Sequence, residues 1–281
     1  MPYVPTVRGR RLAHELRRIR EQCGLSGEQA ANLLGWDQSK ISRMETARMR
    51  ITSREVMELC DAYSVDGDAR TALVQIAREA RRQGWWHPYR DVLKTGFSQY
   101  LNFEAEATTY RSYETQVIPG LFQTGDYARA VLRATRPRTG EEVERATHVR
   151  LARQSRVVSG DDRLDVWQII EEGALHRRVG DSNTMRQQFK HLIAMSELAN
   201  VSLQVLPFGV GVHRAIDGPF VLLTFDGYPD VLYLEHLMGC IYLEDSAQTT
   251  AGGVVFDHLR AAALNVSESR NLIHDMAGRI T

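Results

Sequence analysis

Gln38-Ser39-Lys40-Ile41-Ser42-Arg43 is the stretch of this chain best equipped to read another molecule. A glutamine amide carries a donor beside an acceptor, the pattern that the major-groove edge of adenine meets, and the arginine fork of donors suits guanine. Ser39 adds a hydroxyl for base contact, while Lys40 and Ser42 suit phosphate or supporting contacts. Helical spacing turns Ile41 and Met44, with Ala47 beyond them, toward a core and leaves Gln38, Ser39, Lys40, Ser42 and Arg43 outside. The chemistry this predicts is hydrogen-bonded recognition of duplex DNA, with no bond broken.

Two short helices must position those side chains. Ser26 is an N-cap with Gln29 three residues later, a capping box. Ala30, Leu33 and Leu34 follow on one face, and Gly35 supplies the left-handed residue that stops the helix. Trp36 and Asp37 make a tight connection in which Asp37 caps a second helix over Gln38 to Thr46. A helix, a glycine turn and a helix with a polar, basic outer face form a helix-turn-helix. Ahead of it, a helix over Arg8 to Gln22 carries the stripe Leu12, Leu16 and Ile19, with Arg10, Arg11, Arg17, Arg18 and Arg20 on its other faces. Arg11, Ser26, Arg48 and Arg50 join Lys40 and Ser42 as phosphate or supporting contacts. Thr52 and Glu55 form a further capping box, and Asp66 opens a fifth helix with Leu73, Val74, Ile76, Ala77 and Ala80 inside.

Ala30, Gly35 and QSKISRMETA carry a resemblance to the lambda-repressor-like (Xre-type) DNA-binding family. That resemblance implies a five-helix DNA-binding domain over residues 8–83. The family usually places glutamine directly after the Ser/Thr cap; this chain has Gly27 there, which removes one expected phosphate contact.

Charge distribution agrees. The 281 residues are neutral in sum, with 35 basic and 35 acidic side chains, but residues 1–50 hold ten Lys/Arg against five Asp/Glu. A basic head on an acidic body suits a DNA-binding domain joined to one that does not bind DNA. The composition, 43% hydrophobic and 25% charged, is that of a globular protein, and no apolar run reaches the length of a membrane span. Cys23, Cys60 and Cys240 lie far apart, without C-x-x-C pairing, as in a reducing, cytoplasmic setting. The expected localisation is cytoplasmic, on the nucleoid when bound to DNA.

QGWWHPY, residues 83–89, marks a junction over 84–96. Pro88 blocks helix resumption. The adjacent Trp85 and Trp86 are expected to be buried at a stiff interdomain junction. Beyond it, residues 97–281 read as an α+β regulatory or partner-binding domain with a mostly antiparallel sheet. The expected elements are a helix over Phe97 to Thr115, a helix capped by Thr124, and a long helix from Thr139 to about Val158. That long helix carries Arg145, Arg150, Arg153 and Arg156 on a solvated face. Strands are expected at 164–170, 201–206, 220–225, 231–234 and 240–243, with a helix from Ser182 or Asn183 to Asn200 and helices at 247–263 and 267–278.

The same half carries acidic and histidine side chains near strand ends. Glu171, Glu172 and His176 follow a strand, and Glu235-His236 and Glu244-Asp245 end others. Adjacent strand residues point to opposite faces, so neither pair is automatically a dyad. The nine histidines show no metal-binding spacing, and there is no P-loop, G-x-S-x-G or G-x-G-x-x-G. No catalytic residue, metal or cofactor is expected. The long loop Phe208 to Pro219 is expected to cover a groove.

EAEATTYRSYETQVIPGLFQT, VSLQVLPFGVGVHRAIDGPFVLL and DVLYLEHLMGCIYLED resemble an actinobacterial group that joins an Xre-type head to a large C-terminal domain of uncharacterised chemistry. The resemblance implies an antitoxin-like transcriptional regulator paired with a small partner protein. A homodimer on a palindromic double-stranded DNA operator follows from how little sequence one recognition helix reads. A small-molecule effector in place of the partner is the alternative.

Overall fold

The computed structural model describes residues 5–81, 84–160 and 163–280, and the chain divides into two compact units between Trp85 and Trp86. The boundary expected at Gln83 lies outside the described residues.

The first unit is all helical: α1 (Val7–Gln22), α2 (Gly27–Leu34), α3 (Gln38–Glu45), α4 (Ser53–Ala62) and α5 (Gly67–Glu79). Capping boxes at Ser26/Gln29 and Thr52/Glu55 start α2 and α4 as the sequence indicates. Asp37 and Asp66 hold the N-cap positions of α3 and α5 without a side-chain capping bond. Leu12, Leu16, Ala30, Ile41, Met44, Val56, Leu59 and Leu73 meet in one core. Leu33, expected inside, is 62% exposed; Ala31 is buried in its place.

Four successive helices of this unit end the same way. One or two residues past each helix end stands a left-handed residue: Gly24, Gly35, Ala47 and Ser64. The amides of Leu25, Trp36, Arg48 and Val65 then bond back to the carbonyls of Arg20, Ala31, Arg43 and Cys60. Each is a Schellman turn, which satisfies carbonyls the helix leaves over. Ala47 and Ser64 adopt it despite their Cβ atoms.

The second unit is an α+β domain around one six-stranded mixed sheet. Its helices are α6 (Phe97–Glu106), α7 (Gly125–Thr135), α8 (Gly140–Arg153), α9 (Ser155–Val158), α10 (Glu172–His176), α11 (Ser182–Met195), α12 (Ser246–Ala262) and α13 (Val266–Gly278). Its strands are β1 (Thr109–Glu114), β2 (Asp165–Glu171), β3 (Val201–Leu206), β4 (Phe220–Phe225), β5 (Tyr228–His236) and β6 (Gly239–Leu243). They lie in the order β3-β2-β1-β4-β5-β6. The β3-β2-β1 pairings are parallel, and β1-β4, β4-β5 and β5-β6 are antiparallel.

The helix expected over Phe97 to Thr115 is thus a correction. It ends at Glu106, and Thr109–Glu114 is the central strand. The long helix expected to Val158 likewise breaks at Gln154. Pro229, expected in the hairpin connection, lies inside β5, and the turn is Asp226-Gly227.

Register then sorts the side chains. Tyr113 pairs with Phe220 and Ser112 with Val221, while Val221 in turn pairs with Tyr233. Tyr113, Ile169, Leu222 and Leu232 face a core shared with Phe256 and Leu259 of α12. Tyr110, Ser112, Glu114, Tyr233 and Glu235 alternate to the opposite face, where α6 and α8 supply the covering side chains. Residues 87–92, expected as junction, belong to the second unit. Tyr89 stacks on His148 at 5.3 Å between centroids, and Arg145 holds both oxygens of Asp91. Trp86 is buried, but Trp85 is 43% exposed, against the expectation that both are enclosed.

Candidate functional site

In the first unit, α3 presents what its periodicity predicts. Ile41 and Met44 are each 1% exposed, while Gln38, Ser39, Ser42 and Arg43 are exposed. Arg43 Nε donates to the Ser39 carbonyl at 3.2 Å, which holds the side chain along the helix with its outer nitrogens toward solvent. Arg43 makes no ion pair among the described residues, and neither do the exposed Arg11 and Arg48. Arg50 is exposed as well.

Lys40 is placed differently from its neighbours. Its ammonium lies 2.9 Å from Glu55 and 3.6 Å from the centre of the Trp36 ring. It fastens α3 to the start of α4 and to the turn before it. The Ser26 hydroxyl accepts from the Gln29 amide at 3.1 Å, so it is a cap first.

One positioning group escaped the sequence reading. Arg20, grouped there with the surface arginines of α1, is 8% exposed. Its Nε and Nη2 reach Glu45 at 2.7 and 2.8 Å, and Nη1 donates to the Leu25 carbonyl at 2.6 Å. This bidentate pair pins the end of α3 to α1 and to the loop before α2. The available signal was spacing: Arg20 follows Leu12 and Leu16 at i+8 and i+4 on the buried stripe. Arg17 and Arg18, by contrast, pair with Glu21 and Glu15 on the helix surface.

The second unit holds a cavity of about 500 Å³ between α8 and the Tyr110/Ser112/Glu114 face of the sheet, closed further by α6, α7 and the segment 117–123. Buried amides build that segment. Gln123 Nε2 donates to the Ile118 carbonyl at 2.7 Å, Gln188 Nε2 donates to the Phe122 carbonyl at 2.6 Å, and Gln188 Oε1 accepts from the Thr124 amide at 2.8 Å. A segment whose regular structure is one 3-10 turn at Gly120–Phe122 is thereby supplied with partners its backbone needs.

Charged groups line the cavity. Arg153 forms a bidentate pair with Glu104 at 2.7 and 2.5 Å, beside the bonded hydroxyls of Tyr100 and Tyr110. Arg150 donates to Gln123 Oε1 at 2.5 Å, and burial lowers its pKa to about 10. Glu114 ends β1 and accepts from the Thr115 and Gln116 amides at 3.0 and 3.3 Å; burial nevertheless pushes its carboxyl up to about 7. At one side, Lys94 lies 2.8 Å from Glu235, which also accepts from the Tyr233 hydroxyl at 2.9 Å. The arginines of α8 and α9, expected on a solvated face of one long helix, therefore split. Arg150 and Arg153 enter the cavity, Arg145 holds Asp91, and Arg156 donates to the Ala107 carbonyl at 2.7 Å.

The other sequence-flagged groups lie elsewhere. Glu171 Oε2 accepts from the Tyr113 hydroxyl at 2.6 Å, and His213 Nε2 sits 3.2 Å from that tyrosine hydroxyl. Glu172 accepts from the Phe208 amide at 2.9 Å and contacts His176 at 3.3 Å. These contacts tie the loop 208–219 to the sheet ends. That loop, expected to cover a groove, packs Val210 and Ala215 on the core beneath α12 and, apart from Pro219, does not line this cavity. Glu244 accepts from the Tyr228 hydroxyl at 2.9 Å, and Asp245 caps α12. Among the described residues no three His, Cys, Asp or Glu side chains gather as metal ligands, and no helix is long and apolar enough to cross a membrane.

Residues 97–275 match a family described as "Domain of unknown function (DUF5753)", and residues 11–73 match a helix-turn-helix domain. The chain belongs to the DUF5753 family. The DUF5753 match takes in the sheet and nearly all of the cavity wall, so the charged cavity lies within the family's shared domain. Comparison with curated proteins finds no match. The helix-turn-helix domain makes this DUF5753 protein a DNA-binding regulator.

Proposed function

We propose that this chain is a sequence-specific transcriptional regulator that binds a palindromic operator as a homodimer, with α3 in the major groove. The observation that carries the reading is α3 itself. Four hydrogen-bonding side chains stand outward in two helical turns, on a helix held by a buried Arg20–Glu45 clamp. Gln38 suits adenine and Arg43 suits guanine, with Ser39 beside them. Arg11, Ser26, Ser42, Arg48 and Arg50 supply phosphate contacts. Selection of binders from a pool of random duplexes tests this. The reading expects an inverted repeat with half-sites about 34 Å apart; recovery of no consensus overturns it.

In the same reading the second unit is a binding module, not an enzyme, and reports an effector to the DNA-binding head in the cytoplasm. The cavity favours a small-molecule effector. A small partner protein, the antitoxin-like arrangement, is the second reading. It is favoured by large apolar side chains left in solvent: Phe208, Val212, Ile216, Leu237 and Met238 are 60–92% exposed. Either effector changes operator affinity only by its differential affinity for the two states, and operator DNA must change effector affinity by the same factor. Titrating operator into the protein with and without a small-molecule or protein candidate measures that factor.

A further inference from the structure

The cavity of the second unit combines an apolar body with an unbalanced charge. Phe97, Val149 and Tyr233 contribute its apolar wall. Most of its charged side chains already have partners within the protein. Arg153 is neutralised by Glu104, and Glu235 is held by Lys94 and by the Tyr233 hydroxyl. One oxygen of Glu114, Oε1, accepts from two backbone amides.

Arg150 stands apart from these. Its bonded partner is the neutral amide oxygen of Gln123, and among the described residues it makes no ion pair. Arg138, nearby in the wall, donates to the Leu132 carbonyl and likewise makes no ion pair among the described residues. A partly buried guanidinium whose bonded partner is a neutral amide is costly, and an anion that arrives with its own apolar body offsets that cost. Guanidinium geometry suits a carboxylate bound through two parallel hydrogen bonds. A cationic ligand would find Glu235 held by Lys94 and one oxygen of Glu114 held by two backbone amides, and would meet the positive charges of Arg138 and Arg150.

We propose that this cavity binds a small organic acid, its carboxylate on Arg150 and its apolar body against Phe97, Val149 and Tyr233, resting on the effector role given to this unit above. The volume is within the range of ordinary small-molecule sites. The ligand class is a monocarboxylate on an aromatic or aliphatic frame. A bare inorganic anion would leave the apolar wall unused.

The test uses the full chain in a carboxylate-free buffer. Phenylacetate, cinnamate and hexanoate are titrated by ligand-observed NMR beside phenylacetamide, cinnamamide and hexanamide, which keep each frame and drop the charge, and beside phenethylamine. At least one acid should bind about tenfold or more tightly than its amide, since hydrogen bonds to a charged group exceed neutral ones by that order. Arg150→Gln should bring that acid down to the level of its amide, and Arg150→Lys, which keeps the charge without the fork, should fall between. The wild-type comparison of acids with amides needs no variant to fold. Binding by none of the three acids, equal affinity for acid and amide, tighter binding of the amine, or an undiminished acid affinity in a folded Arg150→Gln protein overturns the proposal. Operator affinity is read in the same samples. An acid that binds through Arg150 without changing operator affinity keeps the site and removes the effector role. Absence of acid binding with operator affinity intact removes the site and leaves the regulator.

Discussion

Arg43 and Lys40 stand three residues apart on α3, yet the fold gives them different work. Arg43 reaches into solvent from its bond to the Ser39 carbonyl, whereas Lys40 is folded back onto Glu55 and Trp36. Arg43→Ala should therefore cost about 1–3 kcal/mol on the selected operator and much less on random duplex, by fluorescence anisotropy at fixed salt. Lys40→Ala should leave base preference unchanged and show itself as lower thermal stability. Equal losses for Arg43→Ala on both duplexes would make Arg43 a phosphate contact.

Glu114 supplies a second prediction at the residue scale. Burial raises its folded pKa to about 7, backbone bonds from Gln116 and Thr115 pull it down, and Glu235 and Arg150 act in opposite directions. A carboxyl whose folded value lies above its unfolded value keeps in the native state a proton that the unfolded chain has lost. Its stabilising effect is thus complete below about pH 4.5, declines as pH rises toward 7, and is gone above that. Glu114→Gln should become progressively more stable relative to the parent across this window, measured by urea midpoints at several pH values. A constant difference would refute the assignment.

At the scale of elements, the Arg20–Glu45 clamp is what ties the recognition helix to α1. Glu45→Gln removes the bidentate counter-charge of Arg20, leaves it only Glu21 at 3.6 Å, and should lower stability by about 1.5–3 kcal/mol in urea unfolding. Ser64→Gly acts in the opposite direction. Ser64 is exposed at φ +54°, a conformation glycine adopts without strain, and the change should raise stability by about 0.5–1 kcal/mol.

The caps that made this unit legible are local. Ser26, Gly35, Thr52 and Glu55 act within a few residues of themselves, so their meaning survives without knowledge of the rest of the chain. Arg20 was not legible as a clamp because its partner is 25 residues away. β1 was misread for a related reason. Tyr100, Phe103, Ala107 and Tyr110 continue a helical spacing straight into the strand. The strand itself faces a core on one side and a polar cavity on the other, so it shows no apolar alternation. The cavity arginines were partly readable. Val143, Ala146, Val149, Arg150 and Arg153 share one face of α8, and a charge at such a position is not on the solvent side.

For the whole molecule, the reading requires two copies per operator. Sedimentation of the full chain with a single selected duplex should show two protomers per duplex, and a one-to-one complex at saturation would exclude the homodimer. The neutral total charge conceals the basic first fifth of the chain, so operator affinity should fall steeply with salt although the protein as a whole carries no net charge.

The central place of β1 bears on how the chain is made. β1 is the first strand to leave the ribosome, yet its two sheet neighbours are β2 and β4. About 110 residues separate Glu114 from the end of β4 at Phe225. At about 5–20 residues per second, β1 waits roughly 5–20 s during synthesis with one edge unpaired. A nascent chain stalled between β2 and β4 should consequently be held by chaperones or precipitate, and one released after β6 should not. Pulse-chase pelleting of chains stopped at successive lengths would locate that transition at the synthesis of β4.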